Sequence, residues 1–499
     1  MDIVINRERV VGKRNPMIYG HFIEHFHRQI YGGVYDPENP LSDEQGLRKD
    51  VIDAMRKIKV PILRWPGGCF VSSYHWKDGV GKERTPVFDK AWRVEDPNSF
   101  GTDEYIDLCR KVGCEPYICT NAGTGTAEEM SDWVEYCNLE NEGKFAKWRI
   151  ENGHEKPYNV KYWSIGNENY GYWEIGAKDC DEWGKLVRES AKMMKHVDPN
   201  TELTAAALTD LDWNINLLRN CGHQLDWISI HEYWDRVHEH TNYATYEQVM
   251  QFSNHVEDSI NKVRGLLTAM GLEKKIKIAF DEWNLRGWHH PNVHTLKIAT
   301  DKKDYLYPRD KNDINSVYTM ADAVFTACFL NGCNRNCDIV GMANFAPIVN
   351  TRGCIYTHKD GIVLRTTYHV FDMFVNILGG TVLDSWNRGC EKMSVVGQNG
   401  CEENINMLDV LATEREDGAT VVSAVNRNPD TAVTLSVCVD RNQSVYRVHT
   451  LAGESTESFN DIDHNGAVIE TGEWKPFVSG VKIELRPHSV NMIEICDKI

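Results

Sequence analysis

Apolar runs that stop abruptly on glycine or polar residues recur through the first three quarters of this chain. Ile3 and Ile5 alternate with polar neighbours ahead of Val10 and Val11, which predicts a short strand over residues 2 to 11. Met17 to Glu24 is an apolar run that ends on a carboxylate, Pro61 to Gly68 closes on a glycine turn, and Glu115 to Asn121 ends on an amide. Tyr162, Trp163 and Ile165 form the next run, halted at Gly166 just before Asn167 and Glu168. Leu203 to Leu208, Trp227 to Tyr233, Ile276 to Asn284 and Ile339 to Pro347 bring the strand candidates from Met17 onward to eight. Helical spacing separates most of them. Leu47, Val51, Ala54, Met55 and Ile58 recur at three and four, as do Trp183, Leu186, Val187, Ala191, Met194 and Val197. Residues 246 to 270 and the set Val317, Ala321, Val324, Phe325 and Cys328 predict two further helices.

Strands alternating with helices imply parallel pairing, and eight of them imply a closed (β/α)₈ TIM barrel of the α/β class. An open doubly wound sheet is disfavoured because no G-x-G-x-x-G follows the first strand. Length beyond a minimal barrel falls in strand-to-helix loops such as 69 to 100 and 285 to 313. After about residue 380 the pattern changes to short alternating strands: Val433, Leu435, Val437 and Val439 on one face, and Val481, Ile483 and Leu485 likewise. A turn signal at Asn426 to Asp430 separates the runs. The expected organisation is a barrel over residues 17–380 and a jelly-roll-like β-sandwich over 381–499, completed by residues 1–16.

Composition narrows the partners. The net charge of −18, from 73 acidic and 55 basic residues, argues against nucleic acid or an anionic membrane. No apolar run approaches the roughly 20 residues of a membrane span. Met1 to Val11 has no long apolar core, so no signal peptide is expected. The 15 cysteines are scattered, mostly among apolar residues, which fits reduced thiols in the cytoplasm. Cys333 and Cys337 lack a matching second pair, so no zinc site is expected there.

The candidate chemistry lies at the strand ends. Hydrolysis of a glycosidic bond needs two carboxyl groups, one to protonate the leaving oxygen and one to act at the anomeric carbon. Glu168 after strand four and Glu282 after strand seven would face each other across a barrel mouth. A single glutamate at a strand end is more often a loop salt bridge; the Asn-Glu and Asp-Glu endings together make the catalytic reading the stronger one.

W-S-I-G-N-E-N-Y and F-D-E-W-N, with Y-G-H-F-I-E-H and L-R-W-P-G-G, resemble the retaining α-L-arabinofuranosidases of glycoside hydrolase family 51 over essentially the whole chain. The resemblance implies a general acid/base at Glu168, with a raised pKa, and a nucleophile at Glu282. It implies that Asn167 binds the sugar 2-hydroxyl, that Glu24 holds furanose hydroxyls, and that Tyr233 and His231 position Glu282. It further implies an exo-acting enzyme on arabinose-bearing oligosaccharides, without metal or cofactor. A homo-oligomer, often a hexamer in the family, would assemble partly through the sandwich.

Two positions depart from that pattern. Cys69 stands where many members have asparagine, and is either a thiol contact to a sugar hydroxyl or a packing residue. Arg365 stands near a position where many members carry a sugar-binding glutamine, and is the substrate-binding candidate there. Trp173, Trp283 and Trp288 follow the catalytic motifs and either stack on sugar or pack; Trp288 is the best placed for a leaving-group subsite. His289, His290 and His294 read as surface loop residues rather than a metal set. The rival functions are a β-xylosidase or endo-β-glucanase on the same scaffold, and a non-catalytic carbohydrate-binding protein.

Overall fold

The computed structural model describes residues 1–235, 244–286, 313–440 and 444–497. Eight parallel strands run Gly20–Phe22, Ile62–Trp65, Glu115–Thr120, Tyr162–Ile165, Glu202–Ala205, Trp227–Asp235, Lys277–Arg286 and Val340–Phe345. Strands one to five pair in succession, as do strands six to eight, and strand eight pairs back onto strand one with Phe345 opposite His21. Between strands five and six the seam is held by Asp226. Its N–H donates to the Leu203 carbonyl at 3.0 Å and its Oδ2 accepts from the Leu203 N–H at 3.0 Å. This nearly closed ring is the barrel that the alternation predicts.

Strand pleating decides what lies inside it, because every second side chain points to the same face. Ile62, Tyr117, Tyr162, Trp227, Ala279 and Met342 form a buried cluster of their own, one residue from each of six strands. They plug the barrel interior. Two residues further along each strand the inward positions turn polar: Arg64 above Ile62, Cys119 above Tyr117, and Ser229 then His231 above Trp227. The outward residues, such as Trp65, Ile118, Trp163, Ile228 and Ile230, pack under the surrounding helices. One of these, Cys180–Val197, is started by an Asp179–Glu182 capping box and buries Trp183, Val187, Ala191 and Met194. The first strand is shorter than its apolar run suggests. Pro16–Tyr19 forms a 3-10 turn capped by Asn15, and pairing begins only at Gly20.

Beyond the barrel, ten strands hydrogen-bond edge to edge in one sheet. The N-terminal strand Asp2–Lys13 sits within it, antiparallel to Thr381–Arg388 and parallel to Val433–Val439. Ile3, Ile5, Leu435, Val437, Ile483, Val422, Ile493 and Tyr446 share a single core although their strands are spread along the whole sheet order. The sheet therefore wraps over itself as a sandwich. Its other face, through Val421, Val425, Val490 and Met492, joins the barrel core. The helix Met320–Arg335 lies between the two, which is why nearly all of it is buried rather than one stripe.

Asp409 ties this junction. Its carboxylate accepts from Asn331 Nδ2 at 2.7 Å and from Arg335 Nη1 and Nη2 at 3.0 Å each. Asp409→Ala is expected to remove about 1–3 kcal/mol, as for hydrogen bonds to a charged group. Urea unfolding reads this directly; an unchanged midpoint would contradict the junction described.

Candidate active site

The polar layer inside the barrel is built around Arg64. Fully buried, it donates from Nη1 to Glu282 Oε2 at 3.0 Å and from Nη2 to Asn167 Oδ1 at 2.8 Å. Its Nε lies 3.7 Å from Asp281 Oδ2. Asp281 also accepts from Tyr117 at 2.7 Å and Ser229 at 2.6 Å.

Asp281 and Glu282 are consecutive, yet both face inward. A regular strand would send them to opposite sides. Strand seven escapes this through a bulge: Ala279 pairs with Ser229 and Glu282 with His231, so two residues of one strand stand against one of the other. The strand then continues to Arg286, beyond the polar ending that the sequence suggests.

After strand four the chain turns sharply. Gly166 has φ of 70°, and a Cβ there would meet Asn169 Oδ1 at 2.1 Å, so only glycine fits. Glu168 itself adopts φ of 44°, a conformation that costs a non-glycine residue about 1–2 kcal/mol. Surrounding bonds hold it: Asn169 Oδ1 accepts from the Asn167 N–H at 3.1 Å, and the Glu168 carbonyl accepts from the Gly171 N–H at 2.7 Å. Backbone strain maintained in this way is found at functional sites.

These devices bring Glu168 and Glu282 together. One oxygen of each, with a nitrogen of His231, lies within 4.8 Å of the others. His231 Nδ1 is 2.9 Å from Glu168 Oε1 and 3.5 Å from Glu282 Oε2, while its Nε2 is 3.4 Å from Asp281 Oδ1. Tyr233, next but one along the same strand, donates to Glu282 Oε1 and lies under the Arg352 guanidinium. Glu24, at the end of strand one, accepts from the Phe70 N–H at 3.1 Å and the Trp92 indole at 3.0 Å. Gly67 makes this possible, since a Cβ there would strike the Glu24 side chain at 2.2 Å. Burial first, and then the charge of Glu282, push the Glu24 carboxyl up to about 8.

The expectation of a raised pKa at Glu168 is overturned for the free protein. Burial pushes it up, but the hydrogen bond and charge of His231, the Trp173 indole and Arg64 outweigh that and bring it below its usual range. His231 moves oppositely. Burial opposes its charge, yet Glu282, Asp281 and Glu168 raise it to about 10. The pair is an imidazolium against a carboxylate, and His231 is the neighbour that reverses the expected shift.

Arg365 does not reach this cluster. It is fully buried and donates to Asn315 Oδ1 at 2.8 Å and to the Thr351 and Gly353 carbonyls at 2.7 and 2.9 Å. It pairs with Asp313 at 3.2 Å, and its face covers Tyr318. A guanidinium spent on backbone carbonyls clamps a loop, so the expected substrate contact is corrected to a structural one. Trp283 packs as well, stacked on Phe329 at 3.6 Å between centroids. Trp173 is half exposed and donates to Glu168 Oε2 at 2.7 Å. Cys69 is partly buried beside Glu168 and Glu174. Trp288, His289, His290 and His294 lie outside the described residues.

Arg64, Asp281, Trp92, Arg352 and Glu174 received no role from sequence. Period-two counting from Ile62 puts Arg64 inside the barrel, where a buried guanidinium requires anions. That signal was available. Trp92, Arg352 and Glu174 come from loops with no periodicity to place them.

Facing carboxylates at the C-terminal mouth of a parallel barrel, held by buried donors, are the constellation of a glycoside hydrolase. Residues 54–251 match the alpha-L-arabinofuranosidase 1 domain and residues 281–489 the alpha-L-arabinofuranosidase C-terminal domain. The chain belongs to the α-L-arabinofuranosidases of glycoside hydrolase family 51. It is 33% identical over 497 residues to a probable alpha-L-arabinofuranosidase C of Aspergillus niger, covering 95% of this chain and 93% of that one. An intracellular exo-alpha-(1->5)-L-arabinofuranosidase of Halalkalibacterium halodurans is 34% identical over 386 residues, covering 76% and 75%. The arabinose complex of the Thermotoga maritima alpha-L-arabinofuranosidase superposes with a TM-score of 0.86 at 35% identity, over 99% of each chain.

The His231 cluster sets a pH dependence. A histidine raised from 6.5 to about 10 contributes stability that is fully present below pH 6.5 and is lost as pH rises through about 10. His231→Gln is expected to shrink the fall in stability across that window, measured by urea unfolding at successive pH values. An identical alkaline slope in the variant would contradict the ion pairing.

Proposed function

We propose that this protein is a retaining, exo-acting α-L-arabinofuranosidase that releases terminal arabinofuranose from oligosaccharides by double displacement. The close approach of Glu168 and Glu282 carries the reading. Oxygens within 4.8 Å suit the roughly 5–5.5 Å carboxyl spacing of retaining enzymes, whereas inverting enzymes need about 6.5–9.5 Å to admit a water. The exo mode draws support from the name of the Halalkalibacterium relative.

In this reading Glu282 attacks the anomeric carbon, oriented by Arg64 and Tyr233. Glu168 delivers a proton to the departing oxygen. In the free protein that proton resides on His231, 2.9 Å away. Sugar bound over Glu168 excludes water, which strengthens the burial that already opposes its charge, and the proton passes from His231 to Glu168 and on to the leaving group. Asn167, fixed by Arg64, bonds the 2-hydroxyl as positive charge grows on the ring, and Glu24 holds another hydroxyl. Glu168, now ionised, activates water to hydrolyse the glycosyl-enzyme. The reaction requires only carboxyl groups, so it is proposed to run without metal or cofactor.

The setting is proposed to be cytoplasmic, supported by 15 cysteines that are all free. Among the described residues no helix is long and apolar enough to cross a membrane. A homo-oligomer, up to a hexamer, rests on family likeness and is read by light scattering.

Initial rates on matched aryl arabinofuranoside, xylopyranoside and cellooligosaccharide substrates test the specificity; a faster pyranoside rate would reassign it. Glu168→Ala should lower turnover of a poor leaving group by about 10²–10⁴-fold. Glu282→Gly should abolish hydrolysis and recover partly with azide. Activity that survives loss of Glu282 would overturn the assignment. Tyr233→Phe removes one bond to a charged group and should reduce kcat/KM by roughly 10–150-fold, from about 1.5–3 kcal/mol; a wild-type value would deny Tyr233 its positioning role.

A further inference from the structure

One corner of the mouth sets two groups without a part in the proposed hydrolysis, Cys69 and Glu174, beside one that has such a part, Glu168. Cys69 opens the 3-10 turn Cys69–Ser73 directly after Gly68, and Glu174 follows Trp173 in the loop beyond strand four. The Cys69 sulfur, a Glu168 oxygen and a Glu174 oxygen lie within 4.8 Å of one another. Glu174 is only 4% exposed. Its Oε2 takes a long 3.4 Å bond from Asn167 Nδ2, and its Oε1 is buried without a well-formed hydrogen bond among the described residues, with the Ser72 hydroxyl and the Cys69 thiol beside the carboxyl. A buried acceptor in that condition is destabilising until something pairs with it. Arg64 and His231 serve Asp281, Glu282 and Glu168 from the other side, while no salt bridge among the described residues reaches Glu174. Burial, followed by the charge of Glu168, pushes the Glu174 carboxyl up to about 8. Burial and the same carboxylates raise the Cys69 thiol. The corner is rich in electron pairs and short of positive charge.

We propose that Cys69, Glu168 and Glu174 form a binding site for a thiophilic divalent cation of the Zn²⁺ type, and that the bound ion blocks hydrolysis by occupying Glu168. One sulfur with two carboxylates suits Zn²⁺ or Cd²⁺, whereas Mg²⁺ and Ca²⁺ favour all-oxygen sets. Zn–S near 2.3 Å and Zn–O near 2.0–2.2 Å place tetrahedral ligands about 3.5 Å apart, so the side chains need to close by at most roughly 1.3 Å. Binding breaks the S–H bond heterolytically and forms a metal–thiolate bond; that proton and the one on Glu174 leave to solvent, and no electron is transferred. The inhibition rests on the proposed role of Glu168 as acid; the binding itself does not.

The test uses the full chain, freed of metal by chelation. Titration with Cd²⁺ should develop a thiolate-to-metal charge-transfer band in the ultraviolet that saturates at one ion per chain. Zn²⁺ should inhibit hydrolysis, with recovery on adding chelator. Cys69→Ser should abolish the band, and both Cys69→Ser and Glu174→Gln should weaken Zn²⁺ by more than roughly tenfold against a chromophoric chelator. Circular dichroism reports whether each variant is folded, and Glu174→Gln carries the test if Cys69→Ser is not. A band that persists in Cys69→Ser, or unchanged Zn²⁺ affinity in Glu174→Gln, overturns the site. Normal binding with full activity at saturation upholds the site and overturns the role given to Glu168.

Discussion

A guanidinium sealed inside a barrel has to be surrounded by anions and acceptors, and the neighbours of Arg64 are arranged to meet that constraint. Removing an ion from water costs several kcal/mol, and leaving it unpaired costs more. Arg64 is therefore bound at once to Glu282, Asn167 and Asp281, which come from strands seven and four on either side of the barrel axis. The groups become one unit whose geometry is set below the mouth, in the rigid part of the fold. In the proposed mechanism a sugar arriving from solvent meets Glu282 and Asn167 already placed, so little reorganisation remains for the reaction itself.

The local irregularities serve this unit. The strand-seven bulge turns both Asp281 and Glu282 inward, one to anchor Arg64 and the other to reach substrate. The left-handed backbone at Glu168 swings its carboxylate back over the strand ends toward His231. His231 then links the two halves, touching Glu168, Glu282 and Asp281 with one ring. The proposed acid, Glu168, thus sits beside a histidine able to hold its proton. The free protein is an ion pair and not a neutral acid awaiting substrate.

Much of this was legible in the chain. Eight apolar runs with helical spacing between them imply parallel strands covered by helices on both faces, and the missing G-x-G-x-x-G favours a closed barrel over an open doubly wound sheet. Glu168 and Glu282 were visible as carboxylates at strand ends, and His231 and Tyr233 came from the family resemblance, on a strand, W-I-S-I-H-E-Y, that ends in polar groups. What alternation could not foresee was the bulge, since it breaks the rule being counted, or the pKa of Glu168, which depends on a contact between residues 63 positions apart. Arg365 misled for the opposite reason. The family pattern places a sugar-binding glutamine near it, yet the donors of Arg365 are consumed by backbone carbonyls that only the folded loop brings near.

The proposed double displacement depends on two carboxylates close enough to act in succession on one anomeric carbon. Proton NMR of the reaction, recorded before the product mutarotates, tests that most directly. Two inversions predict that an α-arabinofuranoside first yields the α-anomer of arabinofuranose. First appearance of the β-anomer would mean a single displacement by water, and the proposed nucleophilic role of Glu282 would be wrong.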